Sequence, residues 1–275
     1  MFYLPAISAI SLLMSTLAVT PDPVNPDPDT LRPIGAVDTV FIEDMTWMEV
    51  RDAIRGGKDT VIVATGGVEQ NGPYLVTGKH NVVLRGTTRA IARKLGNALV
   101  APLVPFVPEG EIDPPTEHMR YPGTISVTAA TYEALLSDIC ASLRTHGFKH
   151  IVLIGDSGGN QEGMKAVVVK LNKKSRGGQL HYIEEYYNFP AVGKWLEEQG
   201  IHQVPEGLHD DFGMTAVMMS VDPQSVRTAQ RIAAGNFRIN GIDLAPAEKT
   251  IQWGKRIINY RAEAAAKAIR TAVRK

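Results

Sequence analysis

The sequence predicts a three-layer α/β/α fold built around a mostly parallel sheet. Two short segments, Thr60–Thr65 and His150–Ile154, are apolar almost throughout and have the length of buried strands. Segments with helical spacing lie between the strand segments, and this alternation favours parallel pairing with helices on both faces. The hydrophobic fraction of 44% and the charged fraction of 21% are those of an ordinary globular protein.

The first half of the chain contains four predicted elements. Asp44 or Thr46 can cap a helix that continues to Ile54 and ends at Gly56. The buried strand Thr60–Thr65 follows this helix. The other two elements are the helix Val82–Leu95, which stops before a glycine, and the strand Ala98–Val107, which leads into a proline-rich loop.

The second half contains five predicted elements, the last of them a long C-terminal helix rich in Ala, Lys, Arg and Glu and preceded by Pro246. They are the helix Thr131–His146, the strand His150–Ile154, the helix Gln161–Asn172, the strand Gln179–Tyr187 and the helix Asp243–Lys275.

Charge and cysteine content exclude some classes of protein. The 29 Lys and Arg residues balance 29 Asp and Glu residues, so the chain has no basic excess with which to bind a nucleic-acid backbone. Cys140 is the only cysteine, so no intrachain disulfide can form. We interpret it as a small buried apolar residue.

The N-terminus is predicted to be separate from the fold. Residues 1–19 are apolar and precede a Pro/Asp-rich break, a pattern typical of a signal peptide, so we expect export to the periplasm or medium and no membrane attachment of the mature form. No Lys or Arg precedes the apolar run, which leaves an uncleaved anchor open, or a cytoplasmic protein with a mis-assigned start. Residues 20–34 are predicted to form an extended tether and residues 35–275 a single domain.

Polar side chains follow the two buried strands. Glu69, Asn71 and His80 come after Thr60–Thr65, and the run Gly155–Asn160 follows the strand that starts at His150. Open α/β sheets bind ligands at the carboxyl ends of their strands. The helix that begins after Gly155–Asn160 also offers backbone N–H groups to an anionic or carbonyl oxygen.

Four segments, taken in order, resemble the creatininase family of metal-dependent amidohydrolases. They are Glu69–Leu75, Glu117–Ser126, Gly155–Asn160 and His209–Thr215, within a resemblance that covers roughly residues 59 to 225. The resemblance implies a creatininase-like fold, a homo-oligomer, and hydrolysis of C–N bonds (amide, including cyclic amide) in a small polar substrate. It also implies two divalent ions that share a carboxylate ligand.

The chain departs from the family pattern at several ligand positions. Glu69 matches a family ligand, but Asn71 and Ser157 stand where the family has histidines, His80 stands where it has a bridging Asp, and Met214 replaces a Glu near the site. An amide oxygen is a poor zinc or manganese ligand, and one imidazole cannot bridge two ions. We therefore expect no two-metal centre of the family type.

Two arrangements stay open for the modified site. Glu69 and His80, with His209 or Asp211, could hold one zinc, manganese or iron ion with an open position, and Asp156 could join them. The other arrangement is a hydrogen-bonded polar pocket without an ion.

The resemblance also suggests roles for single residues. His209 is expected to carry a proton beside the substrate and Asp211 to act as a general base, with a surface histidine and a solvated acid as the alternatives. Ser157 is more plausible as a helix cap than as a nucleophile, because it lacks a nucleophile-elbow motif. The residues predicted to contact substrate are Asn71, Glu117, His118, Ser157, Gly158 and Asn160.

Three functions compete at this point. The first is a hydrolase that uses Glu69, His80, His209 and Asp211. The second is a pseudoenzyme of the same fold that only binds a small molecule. The third is a subunit that matters mainly for assembly through its C-terminal helix. Polar rather than apolar replacements at the ligand positions favour the hydrolase.

Overall fold

A computed structural model describes residues 24–173, 179–204 and 209–274 of the chain. The predicted signal peptide, residues 1–19, lies outside the described residues. The chain divides into two units between Ala36 and Val37. The described part of the first unit contains bends and a turn at Asp27–Thr30, closed by a hydrogen bond from the Thr30 N–H to the Asp27 carbonyl oxygen at 2.9 Å.

The second unit is built on a parallel sheet of four strands. They are β1 (Thr60–Thr65), β2 (Ala98–Val100), β3 (His150–Gly155) and β4 (Gln179–Tyr182). Their order across the sheet is β2-β1-β3-β4, and all three pairings are parallel. β1 and β3 pair along their whole length, from Thr60 opposite His150 to Thr65 opposite Gly155. The predicted parallel α/β architecture is confirmed.

Eight α-helices accompany these strands in the described residues. They are α1 (Trp47–Arg55), α2 (Lys79–Leu95), α3 (Ala129–Thr145), α4 (Gln161–Lys173), α5 (Phe189–Glu198), α6 (Phe212–Val221), α7 (Thr228–Ala233) and α8 (Ala247–Val273). Within the described ranges, no helix combines the length and apolar character needed to cross a membrane.

The three layers follow from the alternation of side chains along the central strands. Ile62 and Ala64 of β1 face a cluster with residues of α2 and α8. Val61 and Val63 face the opposite cluster, with residues of α3 and α4. Because helices cover both faces, all six residues of β1 are buried, and the strand can be apolar throughout.

Two predicted strands are too long, and prolines explain one of them. β2 ends at Val100, because Pro102 and Pro105 cannot donate ladder hydrogen bonds, and the chain continues only through isolated bridges such as that of Thr65 with Val104. The other error lies at the end of β4.

β4 ends at Tyr182 and is followed by a 3₁₀ turn, Glu184–Tyr187, that turns Tyr186 into the core. The C-terminal helix begins at Ala247, just after Pro246, rather than at Asp243. The sequence patterns did not predict α5, α6, α7 or the short antiparallel pair β5 (Arg238–Ile239) and β6 (Ile242–Asp243).

A tight helix crossing supplies a stability prediction. A Cβ added at Gly254 on α8 would overlap the carbonyl oxygen of Ala216 on α6. We therefore expect Gly254→Ala to lower the free energy of unfolding by about 1–3 kcal/mol, because the helices must separate. Gly193 on α5 is the matched control, since a Cβ there meets no atom within 4 Å. Gly193→Ala should raise stability by about 0.5–1 kcal/mol.

Denaturant unfolding of both variants measures the difference. Equal stabilisation by the two substitutions would contradict the close approach of α6 and α8.

The strand order also places the candidate site. The chain leaves β1 for β2 on one side and later returns to pair β3 on the other side of β1. The carboxyl ends of β1 and β3 therefore flank the crevice at which open α/β sheets bind ligands.

Candidate active site

Glu69 lies in the loop that follows β1 and is 1% exposed. The Glu69 N–H donates to the Thr77 carbonyl oxygen at 3.0 Å. The Asn71 side-chain amide closes the same loop by donating to the carbonyl oxygens of Glu69 at 2.9 Å and Val76 at 3.2 Å. Asn71 therefore holds the loop that carries Glu69, while its own Oδ1 is buried without a hydrogen-bond partner in the described structure.

One oxygen of the Glu69 carboxylate is surrounded by nitrogen atoms. Oε1 lies 2.9 Å from His80 Nε2, 3.1 Å from His209 Nδ1 and 3.4 Å from Lys79 Nζ. Burial alone would raise the pKa of Glu69, but hydrogen bonds from His209 and His80 outweigh it and hold this pKa well below its usual range. Glu69 is therefore an ionised carboxylate in a buried position.

His80 connects Glu69 to a second buried carboxylate, Asp156. His80 Nδ1 lies 2.9 Å from Asp156 Oδ2. Arg261 Nη2 donates to Asp156 Oδ1 at 2.6 Å, and the Tyr186 hydroxyl donates to the same oxygen at 3.2 Å. Although burial opposes it, the two carboxylates raise the pKa of His80 above its ordinary value.

Each ring nitrogen of His80 thus lies within hydrogen-bond distance of a carboxylate oxygen. Neither nitrogen faces an open position in this arrangement, and the role of His80 as a metal ligand stays a prediction. Asp156, which was expected as a possible further ligand, lies within hydrogen-bond distance of His80.

Glu109 lies beside Glu69 and is 3% exposed. Burial first, and then the negative charge of Glu69, raise the pKa of Glu109 to about 9, while a hydrogen bond with the Ser157 side chain opposes the rise. Gly67 allows this approach, because a Cβ there would overlap Glu109 Oε1. Ser157 precedes a 3₁₀ turn at the start of α4 but its side chain makes no capping hydrogen bond.

Two histidines stand at the mouth of the site. His118 Nε2 lies 3.3 Å from Glu69 Oε2, and the His118 and His209 rings pack edge to face with their centroids 4.6 Å apart. The two side chains are 24% and 20% exposed, against 2% for Glu69. His209 has a positive φ of 58°, a conformation that is costly for a residue with a side chain.

Glu69, His118 and His209 each offer one ligand atom, and these atoms all lie within 4.8 Å of one another. They come from three different parts of the chain. Two imidazoles and one carboxylate are a donor set that suits zinc and related ions.

Several other predicted site residues have structural roles. Asp211 caps α6, because its Oδ1 accepts a hydrogen bond from the Met214 N–H at 2.7 Å, and its role as a general base stays a prediction. Asn160 is fully buried and donates to the carbonyl oxygens of Thr65 and Gly66 at 2.9 Å each, which ties β1 to the start of α4.

The remaining predicted contacts lie at the rim. Glu117 is exposed, beside His118, and has a positive φ of 45°. Gly158 lies at the turn between β3 and α4, where a Cβ would be 3.2 Å from the Tyr187 hydroxyl oxygen.

Sequence patterns missed Lys79 and Arg261. Arg261 had a detectable signal, because it lies four residues after Ile257 and four before Ala265, on the buried stripe of α8. A charged residue in such a stripe indicates a buried partner. Lys79 had no such signal, since a lysine in a loop-to-helix junction normally faces solvent.

Comparisons with known proteins show the family to which the chain belongs. The profile of the creatininase family, described as creatinine amidohydrolase, matches residues 43–269. The chain is 25% identical to a creatinine amidohydrolase of Pseudomonas putida over 174 residues, 59% of this chain and 64% of that protein. It is 30% identical to a mycofactocin precursor peptide peptidase of Mycolicibacterium smegmatis over 121 residues, 42% of this chain and 46% of that protein. The chain thus spans less than two thirds of either relative.

A solved structure of a mutant creatininase, described as the Zn-Zn type, has the same fold. It superposes with a TM-score of 0.63 at 21% sequence identity and covers 86% of this chain and 99% of that chain.

Proposed function

Because the chain belongs to the creatininase family, whose profile matches residues 43–269, we propose that it is a hydrolase that cleaves a C–N bond of a small polar substrate. Its centre is proposed to hold one divalent ion, zinc, manganese or iron, through Glu69, His118 and His209. The observation that carries this proposal is the convergence of these three side chains, one of them buried and two half-buried. The names of the relatives, an amidohydrolase and a peptidase, support a C–N bond as the target.

The residues present fit one ion and not two. The Oε1 atom of Glu69 already faces three nitrogen atoms. Both oxygens of Asp156 accept hydrogen bonds, so this carboxylate offers nothing to a second ion. Glu69 Oε2, which faces His118, remains as the carboxylate oxygen for a single ion.

When bound, such an ion acidifies a water molecule and polarises a carbonyl group. The chain itself contributes orientation. His80 and Lys79 fix the Glu69 carboxylate from behind, so Oε2 points toward His118. The start of α4, next to Ser157, lies at the carboxyl end of β3, and its dipole favours the negative charge that develops on a carbonyl oxygen.

Titration of metal-free protein with Zn²⁺ and Mn²⁺ tests the ion site. We expect one ion per chain, and His118→Ala or His209→Ala should weaken binding by at least about 100-fold, since each removes a ligand. His146→Ala, at an exposed helix end, is the matched control and should leave affinity unchanged. Wild-type affinity in both ligand variants would refute the proposed centre.

Activity is tested by amine release from small linear amides, cyclic amides and short peptides. We expect hydrolysis of one of these classes that stops when the ion is chelated and resumes when it is restored. Ion binding without hydrolysis of any class would favour a binding protein of the same fold.

A further inference from the structure

We propose that the Lys79 ammonium is a built-in cation beside Glu69, which restricts the centre to one divalent ion at its mouth and weakens the binding of that ion. The inference deepens the proposed function, because it concerns the same site. It starts from the position of Lys79, which is 0% exposed. Lysine is rarely buried to this extent without a specific partner.

Local forces oppose a lysine at this position. Lys79 is the first residue of α2, and a helix N-terminus carries a partial positive charge that repels a cation. The first turn of α2 contains no acidic residue, and the preceding Gly78 provides no side-chain cap. The helix therefore gains nothing from Lys79, and the reason for its burial must lie in the site.

The contacts of Lys79 point to Glu69. Nζ lies 3.4 Å from Glu69 Oε1 and has no hydrogen-bond partner among the residues that the structure describes. Glu109 Oε1 is also buried and has no hydrogen-bond partner among the residues that the structure describes. The ammonium thus acts on the site through its charge.

The positive charge of Lys79 limits the binding of further cations next to Glu69. Nζ of Lys79 and Nε2 of His80 both face Oε1, so the interior side of the Glu69 carboxylate is already occupied by nitrogen atoms. An ammonium has no lone pair and cannot be a ligand. A divalent ion at Oε2 would be repelled by Lys79 across a single carboxylate, in an environment that water screens poorly.

Lys79→Met and Lys79→Arg test the inference. Met has a similar length and no charge, so we expect Zn²⁺ and Mn²⁺ to bind Lys79→Met about tenfold more tightly or more, as measured by calorimetry. Lys79→Arg keeps the charge and should bind ions as the wild type does. Lys255→Met, on the exposed side of α8, controls for the change in net charge and should also match the wild type.

Unchanged or weaker ion binding by folded Lys79→Met would overturn the inference. If thermal unfolding shows that this variant does not fold, Lys79→Gln, which is neutral but polar, replaces it with the same expectation. If the wild type binds no ion but Lys79→Met does, the ion centre of the proposed function is refuted. The same result supports the inference that the Lys79 charge weakens ion binding. If the wild type binds one ion and Lys79→Met binds it no more tightly, the ion centre is supported and the inference about Lys79 is refuted.

Discussion

The Glu69→Gln variant is expected to lose the proposed hydrolytic activity and about 3–5 kcal/mol of its unfolding free energy. The amide removes the negative charge that balances His80 and Lys79, and both cations stay buried. The amide is also a much weaker ligand, so ion binding should fall together with activity, which we expect to drop by about 100-fold or more.

Denaturant unfolding, calorimetric ion titration and amine release measure the three effects on one preparation. Glu198→Gln, on the exposed end of α5, makes the same chemical change at the surface and should alter none of them. Adding Lys79→Met to Glu69→Gln should recover part of the lost stability but none of the activity, because it removes one unbalanced charge. Native stability and wild-type activity in the Glu69→Gln single variant would contradict both the charge network and the reaction centre.

The Arg261→Met variant is expected to lower the free energy of unfolding by about 3–5 kcal/mol. Arg261 is 3% exposed and Asp156 fully buried at their side chains, and they are joined at 2.6 Å, so the substitution leaves a buried carboxylate short of its cationic partner. Asp156 also orients His80, and His80 orients Glu69. We therefore expect weaker ion binding in this variant although Arg261 is no predicted ligand.

Arg256→Met is a matched control on the same helix. Arg256 is exposed and contacts Gln199 and the Trp253 ring, contacts that should contribute less than about 1 kcal/mol. Combining Arg261→Met with Asp156→Asn should cost less than the sum of the two single variants, because the uncompensated charge disappears. Additive effects would show that the pair does not interact as described.

The sheet was predictable where sequence pattern and environment agree. β1 and β3 are apolar throughout or nearly so because helices cover both of their faces, and the glycine-rich runs that follow them mark their ends. β2 was misjudged because apolar residues continue past Val100, although two prolines end the ladder. α6 was missed since Phe212–Val221 is apolar on almost every side and has no helical stripe to detect.

The site was predictable only in part. The family resemblance pointed to Glu69, His118 and His209, which the fold brings together. His80, which replaces a family Asp, was interpreted as a possible ligand of a single ion, but a sequence cannot show that carboxylate oxygens lie next to both of its nitrogens. Lys79 and Arg261 were missed for a similar reason. A buried charge is recognised by its partner, and the partners, Glu69 and Asp156, are not adjacent to them in the sequence.

The connection from Arg261 to Asp156 has a consequence for the order in which the chain is completed. The ribosome synthesises all four strands of the sheet before it synthesises α8. Until α8 docks, Asp156 lacks the guanidinium that offsets its charge in the folded protein. Until that point Asp156, just past the carboxyl end of β3, has His80 as a neighbour but not Arg261, and the candidate site is complete only after the last helix has been synthesised.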